Sequence, residues 1–210
     1  MSPVTHFLTG WVLANAVDLN RRDRAIVTIA AVAPDVDGLG IVAEILTRHS
    51  QHPLLWFSDY HHALHTLPFS LFVFVCAFLI SMRKWISATL AFVAFHLHLL
   101  EDLVGSRGPD GFIWPIPYLF PFSNRWIWTW GGQWKLDAWP NIALTIVFLC
   151  VTVWIAVKRG VSPVDIFAPT ADRSVVAALR KRFHTIHSCR FIPAHKHPDS
   201  TPNSGAGRID

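Results

Sequence analysis

Residues 139–157 read WPNIALTIVFLCVTVWIAV, nineteen positions without a charge, and are followed by Lys158-Arg159. About 20 apolar residues cross the hydrocarbon core of a bilayer, and a Trp at one end with a basic pair at the other suits its two interfaces. The stretch predicts a transmembrane helix and decides the fold class. Working outward, TLPFSLFVFVCAFLISM at 66–82 is uncharged and ends at Arg83-Lys84. A second apolar run, 85–100, follows that basic turn, so the two predict a helical hairpin in the membrane. Thr5 to Val17 and Arg24 to Pro34 are apolar but short, the length of buried or re-entrant helices.

Composition agrees. The chain has 210 residues, 52% hydrophobic and only 15% charged, where soluble domains carry about 25% charge. That excludes chain-wide disorder and argues against a water-soluble globule. The expected fold is all-α: a membrane-embedded helical bundle with short N-terminal helices, a hairpin and one further transmembrane helix. No sheet of consequence is expected, because backbone in lipid must be satisfied internally. The three cysteines make no disulfide framework. The N-terminus lacks the basic n-region and small-residue cleavage site of a signal peptide, so no removal is expected.

Between these helices the signals are those of loops. His49 to Asp59 is mixed in character and broken by Pro53, so a loop is expected there. Residues 106–138 hold four prolines and a Gly-Gly pair, and six of the ten tryptophans fall between 114 and 139. This reads as a loop on or in the membrane interface. The chain divides at 160 into a membrane-bound part, 1–160, and a basic, partly disordered tail, 161–210. Within the tail, ADRSVVAALRKRF (171–183) predicts an amphipathic surface helix, and disorder is expected from His195 on. The net charge of +4 lies in short clusters and the tail. In a membrane chain such clusters suit lipid headgroups, and no nucleic-acid recognition module is present.

Arg21, Arg22 and Arg24 form one basic cluster, Arg83-Lys84 a second, and Lys158-Arg159 with the tail a third. Basic clusters mark the cytoplasmic side. An up-down path with all three inside puts His6, Asp35, Asp37, His61, His65, His98 and Asp102 on the opposite side.

Those seven residues could carry chemistry. His98 and Asp102 in HLHLLED are at i and i+4, one turn apart on one helix face, and His61 and His65 in YHHALHT repeat the spacing. Asp35 and Asp37 in APDVDGLG follow a Pro and precede a Gly. Taken singly, a His-x-x-x-Asp pair is an ordinary hydrogen-bonded pair and an Asp-x-Asp an ordinary capped turn. Taken together, seven such groups beside hydrocarbon without partners would cost on the order of several kcal/mol each, a cost that a metal cluster relieves. Imidazole with carboxylate suits Zn or Mn more than Ca. His96 and Glu101 are expected to support or pack against the ligands. His49, His52 and the tail histidines are expected to be solvated.

The ordered set PVTHFLTGWVLA, APDVDGLG, HHALHTLPFSLF and HLHLLEDLVGSRGPDGFIWPIPYLFPF resembles the YdjM-like family of inner-membrane-associated metal-dependent hydrolases, over roughly residues 1–160. The family's early histidine matches His6, its Pro-Asp-x-Asp matches Pro34, Asp35 and Asp37, and its late His-x-x-x-Asp matches His98 and Asp102. The family tends to show His-Arg-Gly and then Thr-His-Ser where this chain has His61-His62-Ala63-Leu64-His65-Thr66, which leaves His61 and His62 as alternative ligands. A more distant likeness to helical zinc phospholipases and zinc nucleases implies a multi-zinc phosphoesterase. The resemblance implies metal-assisted hydrolysis of a lipid-like or phosphate-ester substrate at an inner membrane, and the basic clusters put the site on its non-cytoplasmic side. In that reading Asp35 and Asp37 would be catalytic, and Arg107 and Arg125 would hold a phosphate or anchor lipid headgroups. A non-enzymatic membrane protein that binds a metal or a partner is the competing expectation.

Overall fold

A computed structural model describes residues 1–108 and 110–188. Disorder from His195 on was expected, as was solvation of the histidines beyond 188; both lie outside the described residues. Helix α1 spans Pro3–Ala14, with Ser2 accepting from the Thr5 N–H as N-cap and Pro3 opening the first turn. Helix α2 spans Arg21–Ala30, capped by Asn20 on the Asp23 N–H. The chain then bends. Pro34 opens a 3-10 turn, Pro34–Leu39, that leads into α3, Gly40–Thr47, and α2 meets this second limb at 65°. Helix α5, Leu67–Ile80, is capped by Thr66 on the Phe69 N–H and runs back to a tight turn at Ser81–Arg83. Helix α6, Lys84–Gly105, and helix α7, Trp139–Arg159, are the long ones. Gly160 ends α7 in the left-handed conformation, φ 75°. A second 3-10 turn, Pro163–Ile166, and α8, Pro169–Ser188, follow.

The all-α expectation holds. Strand structure among the described residues is limited to an antiparallel ribbon, β1 (Ile116–Pro117) with β2 (Ile127–Trp128), and a bridge between Arg107 and Lys135. Among the described residues α6 and α7 are long and apolar enough to cross a membrane, and the bent α2–α3 pair qualifies if it is one span. At 1.5 Å per residue each long helix reaches about 32 Å, against a core of about 30 Å. One expectation needs correcting. Residues 49–59 are not all loop, because Trp56–Tyr60 forms a short helix, α4. It is held by its neighbour: the Ser58 N–H and hydroxyl donate to Glu44 of α3 at 3.0 and 2.9 Å. Helix α6 runs beyond the apolar stretch through Glu101 and Asp102 to Gly105, as the helical His98–Asp102 spacing predicts, and both carboxylates find partners inside the bundle, described below.

Helices α1, α2, α5, α6 and α7 pack into the bundle, α1 on α2, α6 and α7, and α6 on α2 and α5. Alanine dominates the contacts: Ala30, Ala31, Ala88, Ala91 and Ala94 are all buried. Small residues let helix backbones approach closely, as they do inside membranes. Large apolar side chains such as Phe72, Leu79, Val147 and Trp154 point outward instead. Helices α1 and α2 approach closely at Gly10, where a Cβ would lie 2.5 Å from that of Ala31 and 2.9 Å from the Thr28 carbonyl oxygen.

One end of the bundle is tied by charge. The Asp23 carboxylate accepts the N–H groups of Met82 and Arg83, both at 2.8 Å, and joins the start of α2 to the α5–α6 turn. Arg83 donates to the Asp18 carbonyl at 2.7 Å. Arg24 pairs with Asp165 at 3.3 Å, and Arg21 donates to the Asp165 carbonyl at 2.7 Å.

Replacing Gly10 by Leu should overpack the α1–α2 contact and cost about 1–3 kcal/mol. Thermal unfolding in detergent should show a lowered midpoint. Gly131→Ala, where a Cβ meets nothing within 4 Å, should leave the midpoint unchanged.

Candidate metal centre

At the opposite end, three breaks in helical structure bring separated residues together. Pro34 stops α2 and turns Asp35 and Asp37 toward α6. The turn 61–65 ahead of the Thr66 cap presents His61 and His65. Helix α1 begins beside the last turns of α6 and presents His6.

His6, Asp35, His98 and Asp102 each offer one ligand atom, and these atoms lie within 4.8 Å of one another. His6 Nε2 is 3.2 Å from Asp102 Oδ1, and His98 Nε2 is 3.1 Å from Asp102 Oδ2 and 3.6 Å from Asp35 Oδ1. A tetrahedral ion with bonds of about 2.0–2.1 Å has ligand–ligand edges of about 3.3 Å. The three close spacings bracket that value, measured to both Asp102 oxygens, while the set with one atom per residue spreads over as much as 4.8 Å.

The two imidazoles are already turned for such a role. His6 Nδ1 bonds Glu101 Oε2 at 2.6 Å, and Thr9 donates to Glu101 Oε1 at 2.5 Å. His98 Nδ1 donates to the Ala31 carbonyl at 2.8 Å. A carboxylate or carbonyl on one ring nitrogen fixes the tautomer and leaves the other nitrogen free to ligate. Both rings are buried, and His6 Nε2 and Asp35 Oδ2 are buried without a hydrogen-bond partner. Orphaned polar atoms of this kind are rare in folded proteins and call for a ligand. Two imidazoles and two carboxylates therefore form a set that could hold a metal ion.

A second group adjoins the first. Asp37 Oδ1 is 2.8 Å from His61 Nδ1, while Oδ2 accepts the Leu64 N–H at 3.1 Å and lies 3.5 Å from His65 Nδ1. His65 Nε2 reaches back to His98 Nε2 at 3.2 Å and Asp102 Oδ2 at 3.4 Å. Burial works to lower the His65 pKa, but Asp102 and Asp37 outweigh it and push it up to about 9. His62 does not face the carboxylates. Its ring stacks on Trp114 at 4.0 Å, and burial, with His65 and His61 beside it, lowers its pKa to about 4. It is neutral at pH 7.

The structure thus brings all seven candidate residues to one end of the bundle and sets His61, rather than His62, against Asp37. His96 stands apart, bonded to the Phe92 carbonyl and to the Tyr118 hydroxyl at 2.8 and 3.0 Å. Arg107 donates to the Gly131 carbonyl within the 106–138 loop, and Arg125 is exposed. Sequence reasoning missed several partners. Asp102 Oδ1 also binds the Met1 amino group and the Ser106 hydroxyl. Gln133 Nε2 donates to the Asp102 carbonyl at 3.3 Å and the Trp114 carbonyl at 3.1 Å, fastening the aromatic loop over the site. Ser106 follows Asp102 by one helical turn, a spacing visible in the sequence, whereas Gln133 carries no local signal.

Among curated proteins and among solved structures, none matches the chain. A family model described as YdjM inner membrane protein matches residues 1–178, from α1 into α8. With the apolar bundle and its buried His/Asp cluster on the same residues, the match has one meaning: the chain belongs to the YdjM inner membrane protein family.

Proposed function

We propose that this inner membrane protein is a metal-dependent hydrolase that cleaves a lipid-like or phosphate-ester substrate. The observation that carries the reading is the donor set His6, Asp35, His98 and Asp102, whose imidazoles are pre-oriented by Glu101 and the Ala31 carbonyl. These four residues would hold a divalent ion, Zn or Mn, which would supply Lewis-acid chemistry and a water of lowered pKa. The chain's own groups do the rest. Asp35 Oδ2, buried and unpartnered, is the acceptor for the proton of the attacking water. Asp37 orients His61 and His65 and extends the donor set toward a second ion. Neutral His62, stacked on Trp114, closes one wall.

A second reading has its own support. Four protein donors complete a tetrahedral shell, as in structural sites, whereas catalytic zinc keeps a position open. On that reading the protein holds an ion without turnover. Turnover of chromogenic phosphate esters or of phospholipid by metal-loaded protein, abolished by Asp35→Asn with metal retained, separates the two.

We also place the centre on the non-cytoplasmic side. Supporting this, Arg21, Arg24 and Arg83 gather at the opposite end of the bundle, where the positive-inside rule puts the cytoplasm.

Elemental analysis of detergent-purified protein should find at least one divalent metal per chain. His98→Ala with Asp102→Ala should lose it. Glu101→Gln keeps every ligand and should weaken metal affinity about 10–100-fold. A parent without stoichiometric metal would defeat both readings. For sidedness, a Lys84→Cys variant in a cysteine-free background should resist membrane-impermeant maleimide added from outside the inner membrane and react after lysis.

A further inference from the structure

Far from the metal cluster, a groove of about 640 Å³ runs between α7 and α8, within the range of small-ligand pockets. We propose that it binds an anionic phospholipid of the surrounding membrane, acyl chain along α7 and phosphate at Lys158.

The groove follows from how α8 is fastened. Asp172 in its first turn is buried and accepts the Ser162 N–H and hydroxyl at 2.9 and 2.5 Å. Arg180 donates to the Val157 carbonyl at 2.9 Å and fits against Gly160, where a Cβ would lie 2.8 Å from its guanidinium. Helix α8 is thereby held to the end of α7, and Phe183, nearly one turn past Arg180, forms the far wall of the groove. The near wall is one face of α7: Leu149, Val153, Trp154 and Val157, at the i, i+4, i+5, i+8 spacing of a helical stripe. That stripe is open, with Leu149 51% and Trp154 59% exposed.

Charge decides the occupant. Lys158 lines the groove, no acidic side chain does so among the described residues, and Arg159 and Arg182 flank it in sequence. Apolar walls on a membrane-spanning helix, ending in cations at its basic terminus, complement an acyl chain joined to a phosphate. A zwitterionic lipid satisfies the walls but carries its own cation to Lys158. The C-terminal segment opens with Cys189-Arg190 and brings like charge. This inference stands independently of the metal reading.

The test uses the full chain in detergent, with phosphatidylglycerol and phosphatidylcholine of the same acyl chains followed by native mass spectrometry. Phosphatidylglycerol should bind the more tightly, and Lys158→Gln should raise its Kd about fivefold, near 1 kcal/mol per cationic contact. Val153→Trp, which fills the groove, should raise the Kd further. Cys150 also lines the groove and is exposed. Its alkylation by a maleimide should be slowed by phosphatidylglycerol and not by phosphatidylcholine. Equal Kd values for the two lipids, or a Kd unmoved by Lys158→Gln, would overturn the proposal. So would ready oxidation of Cys150 with Cys189 to a disulfide, which would seat the chain's own C-terminal segment in the groove.

Discussion

A carboxylate taken out of water must be surrounded by donors or cations, at a cost of several kcal/mol if it is not. Asp102, 4% exposed, meets that demand with the Met1 amino group, the Ser106 hydroxyl and His65 from the turn before α5, and has the Nε2 atoms of His6 from α1 and His98 from its own helix beside it. Each histidine then makes a demand of its own, met by Glu101, Asp37 and the Ala31 carbonyl. One buried charge thus fixes where α1, α2 and the 61–65 turn stand relative to α6. Apolar faces cannot do this in lipid, since hydrocarbon is as good a neighbour as another helix.

The two ends of the bundle divide the work. At one, Asp23 and Asp165 hold the basic residues and turns together through backbone N–H groups and guanidinium contacts. At the other, polar side chains converge beneath a loop that cannot move independently of them. Gln133 ties that loop to the Asp102 backbone, and Asn141, accepting from the Trp134 indole, donates to the Gly105 carbonyl. Between the ends, buried alanines pack with Val27, Leu90, Val73 and Phe74.

Much of this was legible in the sequence. The uncharged runs became α5, α6 and α7, and the four-residue spacing of His98 and Asp102 put both on the inner face of α6. The last turn of α6, residues 103–105, was not legible, because the His98–Asp102 spacing carries the helix only as far as Asp102. Nor was α4, whose five residues have no strong helical signal and rely on Glu44 of α3. Adjacent His61 and His62 are equivalent on local grounds. What separates them is Trp114, some fifty positions away, which gives His62 a stacking partner and leaves His61 to Asp37.

Helix α6 runs from the basic turn to the buried carboxylate without a break, and this makes it a ruler. One residue added ahead of His98 would lift the ligands by about 1.5 Å and swing them by about 100°. The ring would leave the Ala31 carbonyl, and Asp102 would turn toward hydrocarbon. The stretch between Lys84 and His98 can therefore vary at its exposed positions, such as Trp85 and Val93, but not at buried Ala88, Ala91 and Ala94, and not in length. Irregular chain such as 106–138 can absorb a residue in its turns, provided Gln133 and Asn141 keep their anchors. Drift in this protein should be visible as changed letters in the helix and changed lengths in the loop.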